Sequence, residues 1–165
     1  GDVTASQNSN TTAIDKTAIT GKTTVTPAID DLILISDTSD SGNLKKITAP
    51  TSGTYTPTLT GVSNVAASTA YSCQYLQVGT VVTVSGKADI TPTAAAPTDT
   101  VLGISLPIAS NFTADNECAG VGHDIGFSQH GAIYGDAGSN EAGLFYSALS
   151  ALESPWYFTF TYRII

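Results

Sequence analysis

Trp156-Tyr157-Phe158-Thr159-Phe160-Thr161-Tyr162-Arg163-Ile164-Ile165 is the stretch that decides the fold. Trp156, Phe158, Phe160, Tyr162 and Ile164 share one parity, and Tyr157, Thr159, Thr161, Arg163 and Ile165 share the other. A period of two in aromatic and β-branched residues defines a strand with one face in a core. The pattern predicts that this strand lies inside a sheet and that the chain ends where the fold closes.

Working back from it, the same period recurs in shorter pieces. Tyr71, Cys73, Tyr75 and Gln77 alternate with Ser72, Gln74, Leu76 and Val78, and Gly79-Thr80 then turns the chain. Residues 81–90 read as the return strand, with Gly86 as a bulge. Pro57 puts a short strand over residues 55–59 at a sheet edge, because proline has no N–H to give to a ladder. Residues 91–100 read as a loop. Residues 101–106, 118–127, 131–134 and 143–146 read as further strands, the last three separated by glycine-rich turns. Residues 142–152 fit a helix poorly, since Gly143 and the serines disfavour it. The class is all-β. About eight short strands at this spacing after Gly53 predict an antiparallel β-sandwich or jelly-roll knob.

The first fifty residues differ. Residues 1–12 are almost all Ser, Thr, Asn and Gln, a composition that does not fold alone. They read as an extended arm lying on a neighbouring subunit, with Val3, Ile14, Ile19 and Val25 as its apolar anchors. Leu32-Ile33-Leu34-Ile35, bracketed by acids, is followed by turn formers and then by residues 44–48, which predicts a β-hairpin. Residues 50–53 read as a hinge. The expected division is therefore an arm with a hairpin over residues 1–50 and a knob over residues 53–165.

Composition narrows the function. Charged residues make up 12% of the chain against about 25% in ordinary soluble proteins, so the surface is neutral and polar and suits packing against copies of itself or along another protein. A net charge of −8 argues against a nucleic-acid partner, because a phosphate backbone needs Lys and Arg to neutralise it. No apolar run reaches the eighteen or so residues of a membrane span. The chain lacks methionine, so Gly1 reads as the residue left after removal of an initiator Met. Without a secretory segment at the start, Cys73 and Cys118 read as free buried thiols, with a disulfide as the alternative.

Residue types with chemical capacity are sparse. His123-Asp124 with Ser128 supplies the ingredients of a hydrolase triad, but adjacent strand residues face opposite ways and no nucleophile elbow is present. No catalytic residue is assigned. His123 and His130 are too few to close a metal site within one chain, although copies meeting on an axis would multiply them. Asp37, Ser39, Asp40, Ser41 and Asn43 lack the spacing of a calcium loop and read as a hairpin tip. Asp136 and Glu141 around Gly138-Ser139-Asn140 read as a turn. No cofactor is expected. Tyr71, Tyr75, Tyr134, Tyr146, Trp156 and Tyr157 are materials for stacking on a sugar, though at strand spacing they read first as core or subunit interface. Tyr134, Tyr146, Trp156 and Tyr157 are the candidates for an interface or a receptor site.

Gly-Thr-Tyr-Thr-Pro-Thr-Leu-Thr-Gly-Val-Ser-Asn-Val from Gly53, Tyr-Ser-Cys-Gln-Tyr-Leu-Gln-Val-Gly-Thr-Val-Val-Thr-Val-Ser-Gly from Tyr71, Leu-Gly-Ile-Ser-Leu-Pro-Ile-Ala-Ser-Asn-Phe from Leu102 and the closing stretch Phe158 to Ile165 share a pattern. It resembles the C-terminal β-domain of tailed-bacteriophage virion proteins, tail fibres and head decorations included. Asp30 to Thr48 resembles the β-hairpin modules of fibre shafts. The resemblance implies a homotrimer in the virion, made in the bacterial cytoplasm. The short chain favours a capsid cement protein, partnered with the major capsid protein on the capsid exterior. A tail-fibre head that binds a host-surface glycan is the alternative.

Overall fold

A computed structural model describes residues 3–5, 12–14, 20–25, 27–28, 30–95 and 97–165. The chain is all-β, and its principal feature is a curled antiparallel sheet. Two small sheets precede it. Strand β1 (Val3–Ala5) pairs with β2 (Thr12–Ile14), Val3 opposite Ile14. Strand β3 (Leu32–Asp37) pairs with β4 (Asn43–Thr48), as the hairpin pattern predicts. At the hairpin tip Asp37 accepts a hydrogen bond from Ser39 N at 2.9 Å, and Ser41 and Gly42 turn the chain with φ of 55° and 79°.

Ten strands form the large sheet: β5 (Thr51–Tyr55), β6 (Leu59–Ser63), β7 (Val65–Ala70), β8 (Cys73–Val78), β9 (Val81–Pro92), β10 (Thr98–Ile104), β11 (Cys118–Asp124), β12 (Gln129–Asp136), β13 (Glu141–Ala148) and β14 (Ser154–Arg163). Their spatial order is β5-β8-β9-β14-β11-β12-β13-β10-β6, and β7 pairs with β9. A single residue, Asn64, separates β6 on β10 from β7 on β9, so the sheet curls back from its β6 end towards β9 while β5 stays at the other end. The curl leaves few strand edges open to pairing. Strand β14 is interior, with β9 on one side and β11 on the other.

The parity of the closing stretch sets the core. Trp156, Phe158, Phe160 and Tyr162 are buried, and Tyr157, Thr159, Thr161 and Arg163 are exposed. Val82, Val84, Ala88 and Ile90 of β9, Leu102 and Ile104 of β10 and Leu144 of β13 pack against them. Burial of one such aliphatic or Phe side chain contributes about 1.5–3 kcal/mol. Cys73 and Cys118 are free thiols in this interior, and burial pushes Cys118 up to about 12.

Several expectations are corrected. The segment read as a hinge enters the sheet instead: Thr51 begins β5, is buried, and Gly53 pairs with Tyr75. Pro57 lies between β5 and β6 rather than within a strand, and the ladder gap is bridged by Thr58 N donating to Ser105 Oγ at 2.8 Å. Gly86 makes no bulge. It stands in register with Phe158, and a Cβ there would meet Cys73 Cβ at 2.8 Å and Phe158 Cζ at 3.1 Å. Glycine is present to leave room for its neighbours. Gly120, Gly122 and Gly131 lie in strands, as the strand readings over residues 118–127 and 131–134 expect. A Cβ on Gly122 would meet Leu144 Cδ1 at 2.7 Å, so the missing side chain admits a large one from β13. The loop drawn over residues 91–100 is shorter, since β9 runs to Pro92 and β10 starts at Thr98.

Candidate functional site

The outward parity of the central strands carries the polar and aromatic surface. Cross-strand register aligns Lys87, Tyr157, His123 and His130 on four neighbouring strands, β9, β14, β11 and β12. Tyr157 is 48% exposed. Beside it, Tyr71 Oη donates to Asp89 Oδ2 at 2.6 Å, Lys87 Nζ pairs with Asp89 Oδ1 at 3.0 Å, and the ammonium stands 4.0 Å from the Tyr71 ring centroid. The pairing raises Lys87 and Tyr71 above their ordinary pKa values, each mainly through its hydrogen bond to Asp89. Partial burial opposes ionisation of Asp89, but the bonds from Tyr71 and Lys87 outweigh it and hold the carboxyl below the usual range. A shallow depression of about 250 Å³ lies beside this row, lined by Ser85, Val121, Gly122, His123, Tyr157, Phe158 and Thr159. A larger one of about 530 Å³ lies over β5, β8 and β9, where Ser52, Thr54, Gln74, Leu76, Thr83 and Ser85 line it. Both are open, and the surface that lines them is mostly apolar, edged with Ser and Thr hydroxyls.

The other conspicuous surface is the β3–β4 hairpin. Leu32, Leu34 and Leu44 emerge on one side of the ribbon, and Ile33, Ile35 and Ile47 on the other. Five of these six are exposed, Leu34 at 66% and Leu44 at 69%. An isolated two-stranded ribbon is marginal in water, and one that is apolar on both sides needs cover on both.

The structure divides the residues singled out from sequence. Val3 and Ile14 face each other in the β1–β2 ladder, Val25 is exposed, and Ile19 lies outside the described residues. Tyr157 is on the surface. Tyr134 is partly buried, its ring against the backbone of Gly143. Tyr146 and Trp156 are core residues, 2% and 1% exposed with ring centroids 4.0 Å apart, which takes them out of the surface set. Both are on the inward parity of their strands, where bulk fills the interior.

His123 and Asp124 point to opposite sides of β11, His123 exposed and Asp124 fully buried. Asp124 accepts from Gly126 N at 2.7 Å, Phe127 N at 3.2 Å, Gln129 Nε2 at 2.9 Å and Ser154 Oγ, so its carboxylate organises the β11–β12 turn. Ser128 is in that turn with φ of 55°. The three do not assemble into a triad. Among the described residues no group of three or more His, Cys, Asp and Glu gathers as a metal site. Asp40 pairs with Lys45 at 2.7 Å, and Asp136 accepts from Gly138 N at 2.8 Å, so these acids serve their turns. What sequence reasoning missed is lateral: the Tyr71-Lys87-Asp89 cluster and the face-to-face histidines depend on register between strands. Comparison with protein-family models, curated proteins and solved structures returns no match.

Proposed function

We propose that this chain is a non-enzymatic virion structural protein. In this reading it is a trimeric capsid cement protein that grips the shell through residues 1–50 and presents the curled domain, of sandwich or jelly-roll type, outward. The β3–β4 hairpin carries the proposal. A ribbon exposing Leu32, Leu34 and Leu44 on one face and Ile33 and Ile47 on the other gains stability only when both faces are covered. A neutral surface with few charges fits repeated packing on a shell, where added buried area resists internal pressure. Deleting residues 1–50 is expected to abolish attachment to particles while the domain from Thr51 stays folded. Full occupancy of particles by the deleted chain would sink the anchoring role.

The Tyr71, Lys87, Asp89 and Tyr157 surface favours the second reading, a tail-fibre head that binds a host-surface glycan, since aromatic faces beside charged hydrogen-bonding groups suit sugars. Cryo-electron microscopy of intact virions separates the two. Density on the capsid exterior is expected for a cement protein. Density at the tail tip would replace it with the receptor-binding reading.

A further inference from the structure

The β11–β12 ladder places His123 directly opposite His130 on the outer face, both exposed. Their Nδ1 atoms stand 3.3 Å apart, while the ring centroids are 4.7 Å apart at an interplanar angle of 26°. The two rings are stacked, and one Nδ1–H is within hydrogen-bonding reach of the other Nδ1. The separation also suits a second geometry, reached when each ring turns to aim its Nδ1 lone pair at a shared ion. Two imidazole nitrogens bound at about 2.0–2.1 Å to one tetrahedral ion lie about 3.3–3.4 Å from each other.

We propose that His123 and His130 form a bidentate site for a borderline divalent transition metal such as Zn²⁺ or Ni²⁺. Imidazole nitrogen is the ligand these ions prefer over carboxylate or carbonyl oxygen. The backbone beneath is fixed, because Asp124 ties Gly126, Phe127, Gln129 and Ser154 together one residue from each histidine. Only the imidazole rings need to adjust, and their χ2 torsion is soft. Water fills the remaining positions, so the site is open and its affinity is well below that of a closed structural centre.

The test is calorimetric titration of Zn²⁺ and of Ni²⁺ into the full chain free of any histidine tag. One ion per chain is expected, and His123→Ala and His130→Ala are each expected to weaken binding at least tenfold while thermal melts stay unchanged. On the wild-type chain, Ni²⁺ should broaden the amide signals of residues 121–132 selectively, a readout independent of the variants. Absence of binding up to millimolar metal, binding that survives either substitution, or broadening centred elsewhere would overturn the site.

Discussion

The side-chain amide of Asn64 donates to the hydroxyl of buried Thr100 across 2.8 Å, and this bond joins the corner between β6 and β7 to the strand beside it. The same amide donates to Ala94 O at 3.0 Å, and Asn64 Oδ1 accepts from Ala94 N at 2.8 Å. Asn64 also has φ of 53°, a left-handed conformation that asparagine tolerates better than most residues. The residue at which the sheet returns on itself thus supplies both the backbone turn and its fastening. Asn64→Ala is expected to cost about 3 kcal/mol, from the lost bonds and the left-handed strain together. Asn64→Gly keeps the turn and loses only the bonds, so it should retain about 1 kcal/mol of that difference. Urea unfolding of both variants checks the order. Equal losses would deny the conformational part.

Gly86 and Cys73 make a second pair whose shapes are matched. Gly86→Ala drives a methyl group against Cys73 and Phe158, and overpacking of this kind costs about 1–3 kcal/mol. Adding Cys73→Ala should recover part of the loss, because the sulfur is then absent. A double-mutant cycle measures the recovery, and strict additivity would show that the two sites do not share the space.

The hairpin is predicted to be a contact surface rather than a source of domain stability. Leu34→Lys and Ile47→Lys charge opposite sides of the ribbon. Each should reduce self-association or particle binding in sedimentation velocity by at least tenfold. The melting temperature of the large sheet should shift by less than about 2 °C, as expected of exposed positions. A large fall in melting temperature with association intact would place the hairpin in the fold instead.

Asp89 carries an acid dependence. Its folded pKa lies below the unfolded value, so the stability it contributes is fully present above about pH 4 and is lost as pH falls through the folded value. Asp89→Asn should therefore lower the melting temperature at pH 7, and the difference from the parent should shrink as the pH falls below about 4. Thermal melts across that range test the sign. A gap that widens in acid would contradict it.

Some of this was legible in the chain and some was not. Parity along Trp156 to Tyr162 is a one-dimensional property. It follows from the alternation of side chains across a pleat, and it already assigned the buried and exposed faces of β14. The β3–β4 hairpin was legible for another local reason, turn formers following an apolar run and leading into residues 44–48. Gly86 was misread as a bulge because glycine marks both bends and close approaches, and only the neighbours Cys73 and Phe158 decide which. Tyr146 was grouped with Tyr157 because aromatic character does not declare a direction, whereas Trp156 already stood on the parity opposite Tyr157, and both Tyr146 and Trp156 are buried.

The sequence by itself determined the all-β class, the faces of its longest-patterned strand and the presence of the hairpin, because these depend on neighbours a few residues apart. Tertiary structure alone decided that the sheet curls back at Asn64, that Lys87, Tyr157, His123 and His130 share one row, and that Tyr71, Lys87 and Asp89 meet. Those relationships are set by register between strands distant in the chain. Packing of the whole interior fixes that register, since a one-residue slip would turn the aromatic face of β14 to water.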